Sequence, residues 1–257
     1  MKSLSLKLKR VIGYSITKVK RVLESKCIST LGLNNLSNRE AWLKAKLCDI
    51  PKGSRILDAG AGELQYKEYC NHLNYVSQDF GQYDGLGDSI GLQTKAWDNS
   101  KLDIISDIGA IPEPDNSFDA IMCIEVFEHL PSPIEAIKEF SRLLRNDGVL
   151  IITAPFASLT HFAPYHFYTG FNKYFYEKHL PENGFEIEEI IPNGNYFEYL
   201  AQEIRYRVPN QYSDKTLSKS QKQTVQNFLN ILKELNSVDK GSSELLCFGY
   251  HVKARKI

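Results

Sequence analysis

The sequence predicts an α/β fold, a doubly wound and mostly parallel sheet with helices on both faces and an antiparallel last strand. Three observations predict it. Short apolar runs of strand length alternate with helical patterns, and several of these runs end on an acid. The first run, Ser54 to Asp58, passes directly into Ala59-Gly60-Ala61-Gly62, a turn with little side-chain bulk. The last two runs, Phe185 to Ile191 and Phe248 to Lys253, are separated by a stretch with helical patterns that is too long for a simple hairpin.

The glycine turn comes first because the other elements are placed around it. Ile56 and Leu57 close a buried strand, and Asp58 stands at its carboxyl end. Gly60 and Gly62 permit backbone angles and a close approach that larger residues block, so a ligand edge can lie over the main chain. Ligands of open α/β sheets sit beyond the carboxyl ends of the strands. A Gly-x-Gly-x-x-Gly dinucleotide turn would need glycine where Gln65 stands, which counts against a dehydrogenase.

The other elements follow in order. Arg39 to Leu47 reads as a short helix, broken by Pro51-Lys52-Gly53. Tyr75 to Gln78 reads as the next strand, followed by Asp79 and Phe80. An acid at this point can accept hydrogen bonds from both ribose hydroxyls of a nucleotide, or it can simply open an exposed loop. Gly81 to Ser100 is rich in Gly, Asp, Asn and Gln and reads as a loop. Lys101 to Ser106 reads as a strand, followed by Asp107-Ile108, where the acid could equally cap a turn. Ser117 to Ile124 is a strongly apolar strand that ends at Glu125. Leu143 to Gly148 closes the next helix, and Val149 to Thr153 is the next strand. His161 to Tyr168, a loop of imidazoles and aromatic rings, follows at the ligand end of the sheet. Glu198 to Arg207 and Ser218 to Leu235 carry helical patterns, a helical insertion at about 195–240.

The spacing Asp58-x-Gly60-x-Gly62 resembles the first motif of class I S-adenosylmethionine-dependent methyltransferases, although the third glycine often found there is absent. The strand ending at Glu125, the Glu128-His129 pair, Leu143-Leu144-Arg145-x-x-Gly148 and the strand ending near Pro155 are similar to the central part of that family. The resemblance runs from about 54 to 191 and resumes at 248–253. It implies a Rossmann-like sheet of seven strands in a methyltransferase domain over 36–257. It also implies that S-adenosylmethionine lies over Asp58, Ala59, Gly60, Ala61 and Gly62. In that placement Asp79 and Phe80 stand at the ribose, Asp107 and Ile108 at the adenine, and Glu125 close by.

Methyl transfer from a sulfonium is an in-line displacement, helped by positioning and, for an oxygen or nitrogen acceptor, by a base. His161, His166 and His129 are the candidates, and any of them could instead be structural. Glu125, Glu128 and His129 share one face of a helical turn and could bind a divalent cation. Similar segments occur in ubiquinone-pathway O-methyltransferases and small-RNA 2′-O-methyltransferases with metals, and in relatives without one. No metal is assigned on sequence. The resemblance favours a small molecule, a sugar or a lipid-linked intermediate as acceptor. The alternatives are a non-catalytic S-adenosylmethionine-binding scaffold or regulatory protein, and a metal-assisted RNA 2′-O-methyltransferase.

Charge is uneven. Residues 1–26 hold eight Lys or Arg and one acid, Glu24, a net +7 in a chain of zero formal charge, so 27–257 carry −7. Nucleic acid is a poor partner for such an acidic body. Residues 3–24 read as an amphipathic basic helix, followed by a linker to about 35. That helix could lie on an anionic membrane or pack on the domain or a partner. No apolar run is long enough to span a bilayer, and the start lacks a signal-peptide core. Five scattered cysteines, none in Cys-x-x-Cys spacing, argue for a reducing compartment. The expectation is a cytoplasmic protein, with peripheral membrane contact through 1–26 left open.

Overall fold

The structure, a computed structural model, describes residues 29–205 and 216–257. The basic helix expected over 3–24 lies outside the described residues. Within them, helix α1 (Asn35–Cys48) leads into strand β1 (Arg55–Ala59), then β2 (Asn74–Asp79), β3 (Ile104–Ile105) and β4 (Phe118–Ile124). Helix α2 (Pro133–Leu143), strand β5 (Leu144–Pro155), helix α3 (Lys173–Glu182) and strand β6 (Phe185–Asn193) follow. Helices α4 (Tyr196–Arg205) and α5 (Lys219–Asn236) precede the final strand, β7 (Gly249–Lys256).

The strands form one seven-stranded sheet in the order β3-β2-β1-β4-β5-β7-β6. β1 pairs in parallel with β2 and β4, and β4 pairs in parallel with β5. β7 runs antiparallel between β5 and β6. The chain steps from β1 through β2 to β3 on one side and then crosses to β4 on the other side of β1, so a crevice opens at the carboxyl ends of β1 and β4.

The central strands read as continuous apolar runs because both of their faces are covered. Successive side chains alternate between two cores. Ile56, Met122 and Ile151 pack with Leu43 and Leu47 of α1 on one face. Leu57, Ile121, Cys123 and Ile152 pack with Ile137 and Phe140 of α2 and with Tyr176 and Leu180 of α3 on the other. Helix α2 has Pro133 in its first turn, where a missing N–H costs nothing. A third, smaller cluster joins Leu31 to Ala201, Leu229 and Leu232, tying the start of the described chain to α4 and α5. Gly32, at φ +77°, permits that contact, since a Cβ there would come within 2.4 Å of the Gln202 nitrogen.

Two boundaries differ from expectation. The strand expected over Lys101–Ser106 is only Ile104–Ile105. Asp98 accepts the Ser100 N–H and starts a short 3-10 turn over Asn99–Lys101, and the Asp103 carboxylate is bound by the Ser77 N–H and hydroxyl. The stretch Leu144–Gly148 is not the end of a helix. Leu144 is fully buried and pairs with Phe118, so the helix stops at Leu143; residues 145–148 then bulge out before Val149 pairs with Ala120. Asp147 takes φ +62° within that bulge.

Candidate active site

A cavity of about 800 Å³ opens where β1, β2 and β4 end. Gly60, Asp79 and Phe80, the pair Asp107-Ile108, Glu125 and His129 all line it. A second hollow, lined by Lys44, Glu68 and His72, lies away from the strand ends.

The floor is the glycine turn. Gly60 and Ala61 donate their N–H groups to the carbonyl of Gln78 on β2, at 2.8 and 2.9 Å. Gly60 is at φ +82°, and a Cβ there would meet Val126 at 2.5 Å, so both conformation and space demand glycine. Gly62 donates its N–H to Asp79 Oδ2 at 3.0 Å, and Gly81 donates to Asp79 Oδ1 at 2.9 Å. Asp79 thus braces the turn from the next strand. Burial pushes its carboxyl up, and these backbone donors pull it back. Asp107 accepts the Gly109 N–H and stays exposed at the far end, with Ile108 buried beside it.

Glu125 takes φ +56°, a left-handed conformation for a residue with a side chain, at the point where β4 ends. Its carboxylate is engaged by Arg39 of α1 at 2.8 Å and by the Thr153 hydroxyl at 2.8 Å. Only Phe127–His129 form a 3-10 turn after it. The expectation that Glu125, Glu128 and His129 share one helical face therefore fails, because the backbone turns over before the helical turn begins. Glu128 is instead buried beneath His129 and His161.

The opposite wall comes from two loops. The segment 81–100 is tied to 160–163 by backbone bonds from Leu92 to the Thr160 carbonyl, from Phe162 to the Leu92 carbonyl and from Asp88 to the Ala163 carbonyl. Tyr83 stacks on Phe162 with ring centroids 4.8 Å apart, Trp97 meets both edge-on, and Phe80 meets Tyr165 in a T at 4.9 Å. The Trp97 ring lies over Gly62.

The sequence model of the methyltransferase-domain family matches residues 57–152, the run from β1 to β5 that builds this cleft. Residues 57–152 of this chain are therefore a methyltransferase domain.

The chain is 33% identical over 104 residues to a ubiquinone biosynthesis O-methyltransferase of Xanthomonas oryzae pv. oryzae, covering 39% of this chain and 43% of that one. It is 29% identical over 113 residues to an uncharacterised protein of Methanocaldococcus jannaschii, covering 44% and 46%. The chain thus spans less than half the length of the curated relatives it matches. Among solved structures, a SAM-dependent methyltransferase from Archaeoglobus fulgidus superposes with a TM-score of 0.52 at 17% identity, covering 86% of this chain and 94% of that one. The [4+2]-cyclase SpnF superposes with a TM-score of 0.52 at 18% identity, covering 85% and 80%. At these identities the likeness is one of fold. The seven-stranded, mostly parallel sheet with its antiparallel β7 is the fold of such methyltransferases.

Not every expected site residue reaches the cleft. Asp58, Ala59, Ala61 and Gly62 are buried and do not line it, and Asp58 accepts the Tyr75 hydroxyl at 2.6 Å. His161 and His166 are not among the residues lining the cleft; they flank His129, with ring centroids 4.7 and 5.9 Å from its own. Arg39, Tyr83 and Trp97 went unremarked in the sequence. Nothing local marks Arg39, and the two aromatic residues sit in or beside a stretch whose composition says only loop.

Burial pushes the Asp58 carboxyl up to about 7; the Tyr75 hydroxyl pulls it down and Asp79 adds to the rise. The folded pKa lies above the ordinary 3.8, so the native state holds a proton that the unfolded chain has lost. Stability contributed by this group is complete below pH 4 and falls as pH rises towards 7, by up to about 4 kcal/mol. In the cofactor-free protein, Asp58→Asn should flatten that slope, as read from urea midpoints at pH 5 and pH 8. The same pH slope in parent and variant would reject the assignment.

Proposed function

We propose that this methyltransferase moves a methyl group from S-adenosylmethionine to an oxygen or nitrogen of a small, ring-bearing acceptor: a metabolite, a sugar or a lipid-linked intermediate. One observation carries the reading. A single cleft runs from the glycine turn and the strand-end acids to a wall of aromatic rings and imidazole. Its volume lies within the range of small-molecule sites.

In this reading Gly60 and Gly62 lie under the amino-acid part of the cofactor. Asp79 accepts from the ribose hydroxyls, Asp107 from the adenine amine, and Ile108 covers the ring. Glu125, held by Arg39, stands beside them. The cofactor supplies an electrophilic methyl carbon; its sulfur keeps the bonding electrons and leaves as a neutral thioether. The acceptor atom forms the new bond and gives up its proton at the imidazole cluster of His129, His161 and His166. Phe162 and Tyr165 hold the acceptor ring against the cleft wall, which positions the reacting atoms and excludes water.

The fold alone does not determine the reaction, as the cyclase SpnF shares it. The test is therefore chemical. The full chain is titrated with S-adenosylmethionine and with NAD, then incubated with methyl-labelled cofactor and pools of small metabolites, sugars and lipid-linked intermediates. Saturable binding of S-adenosylmethionine and label transfer to one pool are expected. Binding with no transfer to any pool would favour a scaffold role, and preference for NAD would remove the cofactor reading.

A further inference from the structure

Glu128, His129 and His161 come together beside the cleft in a way the cofactor site does not explain. Their ligand-capable atoms all lie within 4.8 Å of one another. His129 Nε2 is 3.7 Å and His161 Nε2 is 3.8 Å from Glu128 Oε1, too far for hydrogen bonds. The Glu128 side chain is 2% exposed. Its Oε2 and His129 Nε2 have no hydrogen-bond partner among the described residues. Buried polar atoms are rarely left this way without an occupant between them.

The imidazoles are already oriented for ligation. His129 donates its Nδ1–H to the Tyr165 carbonyl at 2.6 Å, and His161 donates its Nδ1–H to the Leu159 carbonyl at 2.8 Å. A carbonyl oxygen can only accept, so the ring proton sits on Nδ1 and the Nε2 lone pair of each ring is free on the side of Glu128. Metal-ligating histidines are held by this outer-shell bond. Ligand atoms around a tetrahedral zinc ion lie about 3.3 Å apart; the two Glu128 distances of 3.7 and 3.8 Å are close to that, and the widest separation, up to 4.8 Å, closes by side-chain rotation of the imidazoles.

We propose that Glu128, His129 Nε2 and His161 Nε2 bind one divalent transition-metal ion of the zinc type. Two imidazole nitrogens and one carboxylate suit zinc, whereas magnesium and calcium favour all-oxygen shells. Glu125 is outside the set, since Arg39 and Thr153 hold its carboxylate. His166 is outside it too, with Nε2 against the Ser158 hydroxyl at 3.1 Å. Three protein ligands leave a coordination position open. His129 lines the cleft, so an acceptor hydroxyl can take that position, where the cation in place of a free Nε2 eases loss of its proton to bulk water. This catalytic use rests on the proposed methyl transfer; the binding itself does not.

The test keeps the two apart. Full-length protein stripped with EDTA is titrated with zinc chloride by calorimetry, without cofactor or acceptor, and metal content is measured after gel filtration. One ion per chain is expected. His161→Ala and the isosteric Glu128→Gln should each weaken binding about 100-fold or more. Cobalt substitution should give visible absorption bands in the parent that both variants lose, which excludes capture by the free cysteines. Circular dichroism verifies that the variants are folded, and Glu128→Gln keeps the side-chain volume if His161→Ala does not fold. No stoichiometric uptake by the parent, or uptake unchanged in a folded variant, overturns the site. Failure of methyl transfer with uptake intact overturns only the proposed function.

Discussion

Asp79→Ala is expected to weaken S-adenosylmethionine binding about 100-fold and to lower stability by about 2–3 kcal/mol. Two losses coincide at this position. The buried carboxylate accepts the N–H groups of Gly62 and Gly81, one on each oxygen, so its removal leaves two main-chain donors without their acceptor and unlocks the glycine turn. Each such loss costs about 1–3 kcal/mol. The same carboxylate lines the cleft, where its remaining lone pairs are the proposed acceptors for the ribose hydroxyls. Asp79→Asn should fall between parent and alanine variant, because its amide keeps only one acceptor oxygen. Calorimetric titration with the cofactor and a urea melt separate the two losses. Unchanged affinity in a folded Asp79→Ala protein would end the ribose assignment.

The second large effect is on turnover. His129→Ala is expected to lower kcat about 100- to 1000-fold while the cofactor Kd moves by no more than about threefold. His129 is the histidine that lines the cleft, stacked on Phe162 with centroids 5.0 Å apart. Burial together with the neighbouring His161 and His166 holds its ring down to about 3, against the pull of the Tyr165 carbonyl, so it stays neutral and acts by positioning the acceptor more than by holding its proton. His161→Ala should follow it closely. His166→Ala should cost least, because the Ser158 hydroxyl occupies its Nε2 and it stands back from the cleft. The measurement uses the acceptor found by labelled transfer. A His129→Ala enzyme running at the parent rate would make this cluster structural.

Between these residues lies a division of labour between chain and fold. The sheet was legible because β1, β4 and β5 are buried on both faces, and burial on both faces selects the unbroken apolar runs that mark them in the sequence. The glycine turn was legible because only glycine tolerates both the φ of Gly60 and the approach of Val126. Gly60, Asp79, Asp107 and Glu125 could be picked out because a strand end followed by a polar turn carries its own local signature.

What happens across the sheet carried no such mark. Arg39 lies on a helix whose sequence says only that it is a helix, yet packing of α1 brings it onto Glu125. Trp97 and Tyr83 occupy a stretch with no periodicity, and backbone bonds from Leu92 and Asp88 to the distant 160–163 loop turn them into a cleft wall. The helical period placed Glu125 beside Glu128 and His129. A left-handed residue at the end of β4 broke that period, turned Glu125 towards Arg39 and put His161 in its place. Period and composition act over a few residues, so the chain by itself determined its strands, their order of ligand-end acids and the glycine floor. Which distant side chains meet over that floor depends on loop closure and helix packing, and only the tertiary structure decided it.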